Sequence, residues 1–338
     1  MIMPNRQFLV LPWMRRLVHG AFLLFCLFTG LRFYQFYQWA VAGGNYTQRP
    51  PSVEAFLPIG ALVSLKQFLL TGQYDPLHPA GLTIFIAALV LGFFFRKGFC
   101  GWLCPVGYIS EQLHSLTNRM TALVRQSKRP YLLRLPPWLD YPMRLLKYLL
   151  LGFFLYLILW KMDRAALENF SRSPYSITTD ARMLLFFLHP SDLALGIMIC
   201  LVLLSIVLRN FWCRYLCPYG ALLGLLALGG PLQVARDSKK CIDCKKCEDI
   251  CPADIKITAK KRLVTPECIG CLECVARCPQ EDCLTLTVFF KKKLSPFLLP
   301  LGLLILFFTL WLTAKYTGHW RSSLPDDAFK HFYQMIHR

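Results

Sequence analysis

Residues 241–252 read CIDCKKCEDICP, and residues 268–279 read CIGCLECVARCP. Both spell C-x2-C-x2-C-x3-C-P. The x2 spacing lets three thiolates converge on three corners of one iron–sulfur cubane from a single turn of chain. The fourth cysteine is carried away by the residues that follow and ligates the other cubane. The spacing therefore assigns Cys241, Cys244, Cys247 and Cys278 to one [4Fe–4S] cluster, and Cys268, Cys271, Cys274 and Cys251 to a second. The competing reading is zinc. Zinc runs usually pair two C-x2-C units, without a third cysteine at x2 or a fourth followed by proline. Metal ligation needs reduced thiolates, so this small α+β, ferredoxin-like module, residues 236–290, is expected in a reducing compartment.

Outward from the module the chain turns apolar. Of 338 residues 55% are hydrophobic and only 17% charged, against about 25% charged in a typical soluble domain. The deficit points to lipid as part of the solvent. A transmembrane helix needs ~20 mostly apolar residues, and five stretches qualify, at about 17–39, 79–95, 143–160, 191–208 and 294–314. The first follows Arg15 and Arg16 but lacks a small-x-small cleavage site, which reads as a retained anchor. Residues 54–70 are apolar but short and contain Pro58 and Lys66, which reads as a re-entrant or interfacial helix.

The formal net charge of +19 would suggest nucleic acid in a soluble protein, but its distribution follows a membrane. The N-terminal segment, the loop from Arg96 to Lys147 and the stretch from Arg209 to Lys293 hold 27 basic residues, and the alternate loops hold 10. The positive-inside rule then places the N-terminus and the module in the cytoplasm and the C-terminus outside. The expected architecture is a membrane all-α bundle of about five transmembrane helices with the two-cluster module inserted. Residues 1–235 form the first membrane region, and 291–338 form the last helix and an outer tail.

Two further cysteine pairs fall in a repeat. FCGWLCPVG spans 99–107 and WCRYLCPYG spans 212–220, each following an apolar helix that opens on His-Pro, at His78-Pro79 and His189-Pro190. Positions i and i+4 share a helix face, so Cys100 with Cys104 and Cys213 with Cys217 bring four thiols to the cytoplasmic ends of two spans. They suit a metal or further cluster, a redox-active dithiol, or simple packing. His78 and His189 hold matching places at the outer helix mouths, and Arg32 lies in the first apolar stretch. The three are a candidate quinol site. Haem ligation by the histidines, a His-Pro helix start and a snorkelling Arg in an aromatic belt compete with it. Cys26 and Cys200 read as packing residues, and Cys283 as a buried neighbour of the second run.

With both cluster runs and both Cys-x3-Cys-Pro pairs in view, the chain resembles the polyferredoxin-like membrane proteins of the NapH/NosR type from about Leu17 to Ala314. The resemblance implies a multi-pass protein of the bacterial inner membrane, carrying electrons between the quinol pool or a cytoplasmic donor and a respiratory reductase system. It implies a cytochrome or reductase partner and no nucleic acid. The chain has no room before its first helix for the outer flavin domain of the larger NosR-type members. A membrane metal reductase or metallocentre-assembly factor, and a redox sensor, are the alternatives. No G-x-G-x-x-G fingerprint occurs, which argues against a self-contained dehydrogenase. No catalytic residue is assigned.

Overall fold

A computed structural model describes residues 10–125, 135–289 and 292–337, with side chains described outside 118–134. Arg6, Lys128, Arg129, Arg134, Lys291 and Arg338, which enter the basic count, lie outside the described residues.

In chain order the helices are α1 (Val10–Ala42), α2 (Pro58–Thr71), α3 (Pro79–Phe94), α4 (Gly98–Trp102), α5 (Pro105–Arg125) and α6 (Pro137–Leu155). A π-turn, Tyr156–Lys161, extends α6 and is followed by α7 (Arg164–Arg172), α8 (Pro174–Ile177), α9 (Thr179–Leu188), α10 (Asp192–Val207) and α11 (Pro218–Leu228). The module follows as β1 (Leu232–Arg236), α12 (Lys246–Ile250), α13 (Glu273–Arg277), β2 (Leu284–Val288) and β3 (Lys292–Leu294), and α14 (Leu298–Tyr316) and α15 (Asp326–His337) close the chain. Helices α2, α3, α5, α6 and α11 all open on proline, where the fixed φ suits the first turn and the missing N–H costs nothing.

Among the described residues three helices are long and apolar enough to cross a membrane: α1, the 25-residue run Pro137–Lys161, and α14. Helices α9 and α10 would make a fourth as one broken span, bent by 77° at His189–Ser191. Helix α3, expected as a full span, has 16 residues. At 1.5 Å per residue it rises about 24 Å, short of a ~30 Å hydrocarbon core. It stops where Arg96 adopts a left-handed φ of 61°. Helix α6 begins earlier than its apolar run and passes through Pro142. Helix α2 has 14 residues, also too few to span.

The chain divides into two compact units. One comprises Met1–Leu23, Ala88–Leu151 and Met198–Leu306, and the other Leu24–Ala87, Gly152–Ile197 and Phe307–Arg338. The first contains an antiparallel sheet of order β1-β2-β3, with Leu232 opposite Val288 and Arg236 opposite Leu284. Here Leu208, Phe211 and Tyr215 pack with Met143 of α6, and Asp140 accepts from Tyr215 Oη at 2.6 Å and from Arg214 at 2.8 Å. In the second unit, α1 and α15 share a core of Phe33, Phe36, Tyr37, Phe329 and Tyr333. The C-terminal tail thus ends in a helix with a buried face. Lys66 donates to the Ile158 and Met162 carbonyls, at the C-terminal end of the run, where the last carbonyls have no following turn to bond.

Candidate iron–sulfur sites and a buried charge network

The two cysteine runs share one backbone. Asp243 and Lys245 in the first, and Gly270 and Leu272 in the second, have φ of 51°, 57°, 63° and 60°. Left-handed Lys and Leu are uncommon. They persist here because the alternation turns successive thiols of each run inward. One cavity is lined by Cys241, Cys244, Cys247 and Cys278 with Cys283, and encloses about 330 Å³ of non-atom space, part of it open to solvent. The other is lined by Cys251, Cys268, Cys271 and Cys274, with Val234, Ile255 and Ile257 completing an apolar wall around about 370 Å³. In each, three thiols come from one run and the fourth from the other. Among the described residues no three His, Cys, Asp or Glu side chains are drawn close enough to hold a single metal ion. Thiolates on separate corners of a cubane stand farther apart than thiolates on one tetrahedral ion, so both donor sets fit [4Fe–4S] clusters.

The first cavity is nearer solvent, with Cys244 exposed. The second faces the loops that carry the Cys-x3-Cys-Pro pairs. Trp102 donates its indole N–H to Gly270 O at 3.1 Å. Arg209 reaches the Asp249 and Ile250 carbonyls at 2.9 Å each, Asn210 reaches Pro252 O at 3.1 Å, and Arg96 reaches the Leu263 and Thr265 carbonyls. Arg15 ties Gly101 O to Glu111 and Glu273. A Cβ on Gly101 would lie 2.3 Å from Ile269 O, so the approach of the two loops requires glycine there.

The two pairs converge. Burial pushes the Cys100 thiol up to about 12, with Cys104 and Cys217 near enough to add to the shift. Burial also pushes Cys213 well up, with Cys104, Cys217 and Cys100 again contributing. Cys217 caps α11 and accepts the Gly220 N–H at 3.2 Å, and Cys104 accepts the Gly107 and Val106 amides at the start of α5. None of the chain's 15 cysteines forms a disulfide. Cys283 is buried in the wall of the first cavity, whereas Cys200, read as a packing residue, is exposed on α10.

The second unit separates the candidate quinol residues. Arg32 and His189 are exposed, and His78 is partly buried. Among the described residues no hydrogen bond, ion pair or ring contact joins the three. His78 belongs instead to a network the sequence did not reveal. Arg49 donates to Glu54 at 2.8 Å and to Asp180 at 2.6 Å, with both carboxylates fully buried. Tyr333 Oη donates to Asp180 at 2.7 Å, and Glu54 also accepts the Gly81 N–H at 2.9 Å. His78 Nε2 lies 2.9 Å from Ser176 O and Nδ1 lies 3.4 Å from Glu54. Two carboxylates against one guanidinium leave room for one more positive charge. Burial alone would lower the His78 pKa, but Glu54 more than reverses this and holds it above the usual histidine value, with Asp180 assisting and Arg49 opposing. A pKa raised by folding stabilises fully below the unfolded value, and that stability is lost as pH rises through the folded one. The thermal midpoint should therefore fall as pH rises above the ordinary histidine value of about 6.5, and His78→Gln should flatten that dependence. An equal slope in the variant would show that His78 is not the group responsible.

Only a few signals pointed to these charged residues. Lys147 stands out as a cation inside an apolar run, and the structure pairs it with Glu267 at 2.7 Å to both carboxylate oxygens. Arg49 and Asp180 lie 131 residues apart, and no local pattern connects them.

Comparison with known proteins follows the same division. A family model described as a 4Fe-4S binding domain matches residues 77–122 and again 193–233, the two copies of the repeat. One described as a 4Fe-4S dicluster domain matches 233–279. The chain is 38% identical over 292 residues to a putative electron transport protein, YccM, of Escherichia coli, covering 85% of this chain and 79% of that one. It is 29% identical over 224 residues to the methylamine utilization ferredoxin-type protein MauN of Methylorubrum extorquens, covering 65% and 68%. With the ferredoxin-type protein NapH of Escherichia coli it shares 26% over 208 residues, covering 57% and 62%. No solved structure matches. Long apolar helices, two thiol-lined cavities and these relatives agree, and the chain belongs to the NapH-like family of membrane 4Fe–4S ferredoxin-type electron-transport proteins.

Proposed function

We propose that the protein is a membrane electron relay whose thiol sites form a row, running from Cys100, Cys104, Cys213 and Cys217 to the cavity of Cys251, Cys268, Cys271 and Cys274, and on to that of Cys241, Cys244, Cys247 and Cys278. A [4Fe–4S] cluster, when bound, takes up and returns one electron at a time. The observation that carries the reading is the packing of the Cys100–Cys104 loop on the Ile269–Cys271 loop, with Gly101 against Ile269 O and Trp102 on Gly270 O. No solvent gap separates those loops. The exposed edge at Cys244 suits exchange with a soluble partner. On this reading the N-terminus and the module are cytoplasmic, the C-terminus is periplasmic, and the membrane is the bacterial inner membrane.

The donor we favour is the quinol pool, with a respiratory reductase or cytochrome system as acceptor. A quinol releases protons along with its electrons, and of the three candidate residues His78 is the one with a carboxylate beside it, at 3.4 Å. The test uses anaerobically purified protein and a soluble quinol such as duroquinol, with cluster reduction followed by absorbance. The quinol should reduce the protein, and His78→Ala should slow this by about 100-fold or more, within the range expected of a general acid–base group, with dithionite reduction unchanged. If quinol fails while a reduced cytoplasmic ferredoxin succeeds, the donor is cytoplasmic. Reduction of Cu(II) or Fe(III) without a protein acceptor would favour a metal reductase.

A further inference from the structure

We propose that Lys97 is the resident cation of the four-thiol site, and that the group whose charge it balances is an anionic iron–sulfur cluster held by Cys100, Cys104, Cys213 and Cys217. The inference rests on the relay reading and adds the charge and electrochemistry of its membrane-side member.

Lys97 is 3% exposed. It follows Arg96, whose left-handed turn ends α3 and directs the chain into α4. Its main chain is engaged, since its carbonyl accepts the Cys100 and Gly101 amides at 3.0 and 3.3 Å. Its ammonium, among the described residues, makes no hydrogen bond and no ion pair with a carboxylate. A buried ammonium without a counter-ion carries a large desolvation cost. The carboxylate whose field it shares, Glu267, is committed elsewhere, with both oxygens taken by Lys147 at 2.7 Å. Lys97, Lys147 and Glu267 together leave one positive charge in excess.

Sulfur lies beside that charge. A Cβ built on Gly220 would lie 3.3 Å from Lys97 Nζ and 3.5 Å from Cys217 Sγ, so the ammonium and the thiol close on the same glycine, and any side chain there would wedge them apart. Lys97 also acts on Cys100, Cys104 and Cys213, opposing the upward push of burial on each. Two helix starts add to the same field, because the amides at the beginnings of α5 and α11 point at Cys104 and Cys217. Four half-buried thiols facing a lone buried cation and two helix N-termini make a poor packing core and a poor dithiol, since either would leave the cation unmatched. A cluster on four thiolates is negative in its oxidised state and gains one further negative charge with each electron. It matches the cation in both states, and Lys97 favours the reduced one.

The test is an EPR-monitored redox titration of the whole protein in detergent, with iron and sulfide analysis. The unaltered protein should hold about twelve of each, from three cubanes, and show a third signal absent from Cys217→Ser. In Lys97→Gln and Lys97→Met that signal should titrate lower, with the reduced-to-oxidised ratio at fixed potential falling at least tenfold, or ~59 mV for a one-electron couple. Lys97→Arg should keep it near its original position. The signal of the distal Cys241 cluster should stay in place throughout. Twelve irons with an unmoved third potential in both neutral variants would overturn the role of Lys97 and leave the relay standing. About eight irons in the unaltered protein would remove the third centre itself, and the inference with it.

Discussion

Exchanging Cys217 for serine is expected to stop the proposed quinol-driven electron flow through the protein and to leave the two ferredoxin EPR signals in place. The expected loss is at least about 100-fold, beyond what altering an outer-shell group usually costs. The substitution separates chemistry from folding because of where Cys217 sits. Its sulfur caps α11 by accepting the Gly220 N–H, and serine is a better N-cap than cysteine, so the helix keeps its start. The lost group is the thiolate, for which a serine hydroxyl is a poor substitute as an iron ligand. Cys104→Ser makes the same test at the start of α5, where the Gly107 amide meets the sulfur. Neither change touches the eight cysteines of the two cavities. Unchanged turnover in both variants would reduce these cysteines to packing residues. Loss of the ferredoxin signals in either would make them supports of the module.

Cys251→Ser should damage the cluster of the other run. Cys251 closes the cavity of Cys268, Cys271 and Cys274, while its own neighbours Cys241, Cys244 and Cys247 look across to Cys278. The variant is expected to lose about four irons, one cubane, and to lose the signal of the buried cluster while keeping that of the solvent-facing one. Cys278→Ser should do the reverse. The two signals are told apart by exposure, because the cluster beside exposed Cys244 relaxes faster with a soluble paramagnet. If Cys251→Ser instead removes the cluster of its own run, the crossed assignment is wrong.

The ferredoxin spacing was legible because a cubane is gripped locally. Seven residues of chain fix three ligands, so sequence and geometry nearly coincide. The repeat was legible for the same reason, down to proline at the starts of α5 and α11. Distance along the chain hid the rest. Arg49 finds Asp180, and Lys147 finds Glu267, only after the helices pack, and nothing adjacent to either residue announces a partner. Hydropathy counted apolar residues at 79–95 and 191–208 but could not see Arg96 turn left-handed or the chain bend at His189. Three continuous candidate spans and one bent pair among the described residues replaced a simpler picture for that reason. The quinol trio was drawn from matching positions in a repeat. Matching positions do not imply matching surroundings, and His78 is held in a charge network while His189 is exposed.

The way the module is held has a consequence for how such proteins change over time. Arg96, Trp102, Arg209 and Asn210 grip six carbonyls, those of Asp249, Ile250, Pro252, Leu263, Thr265 and Gly270. Every residue, proline included, offers the same carbonyl, so the dock reads the path of the chain and is indifferent to most side chains along it. Residues around the clusters can then be exchanged one at a time, shifting the electrical set-point of the relay, without releasing the module from its seat. The constraint falls on the few positions that set the path, Gly101 and Gly270 foremost, while the surroundings of the metal are left open to retuning for a new donor or acceptor.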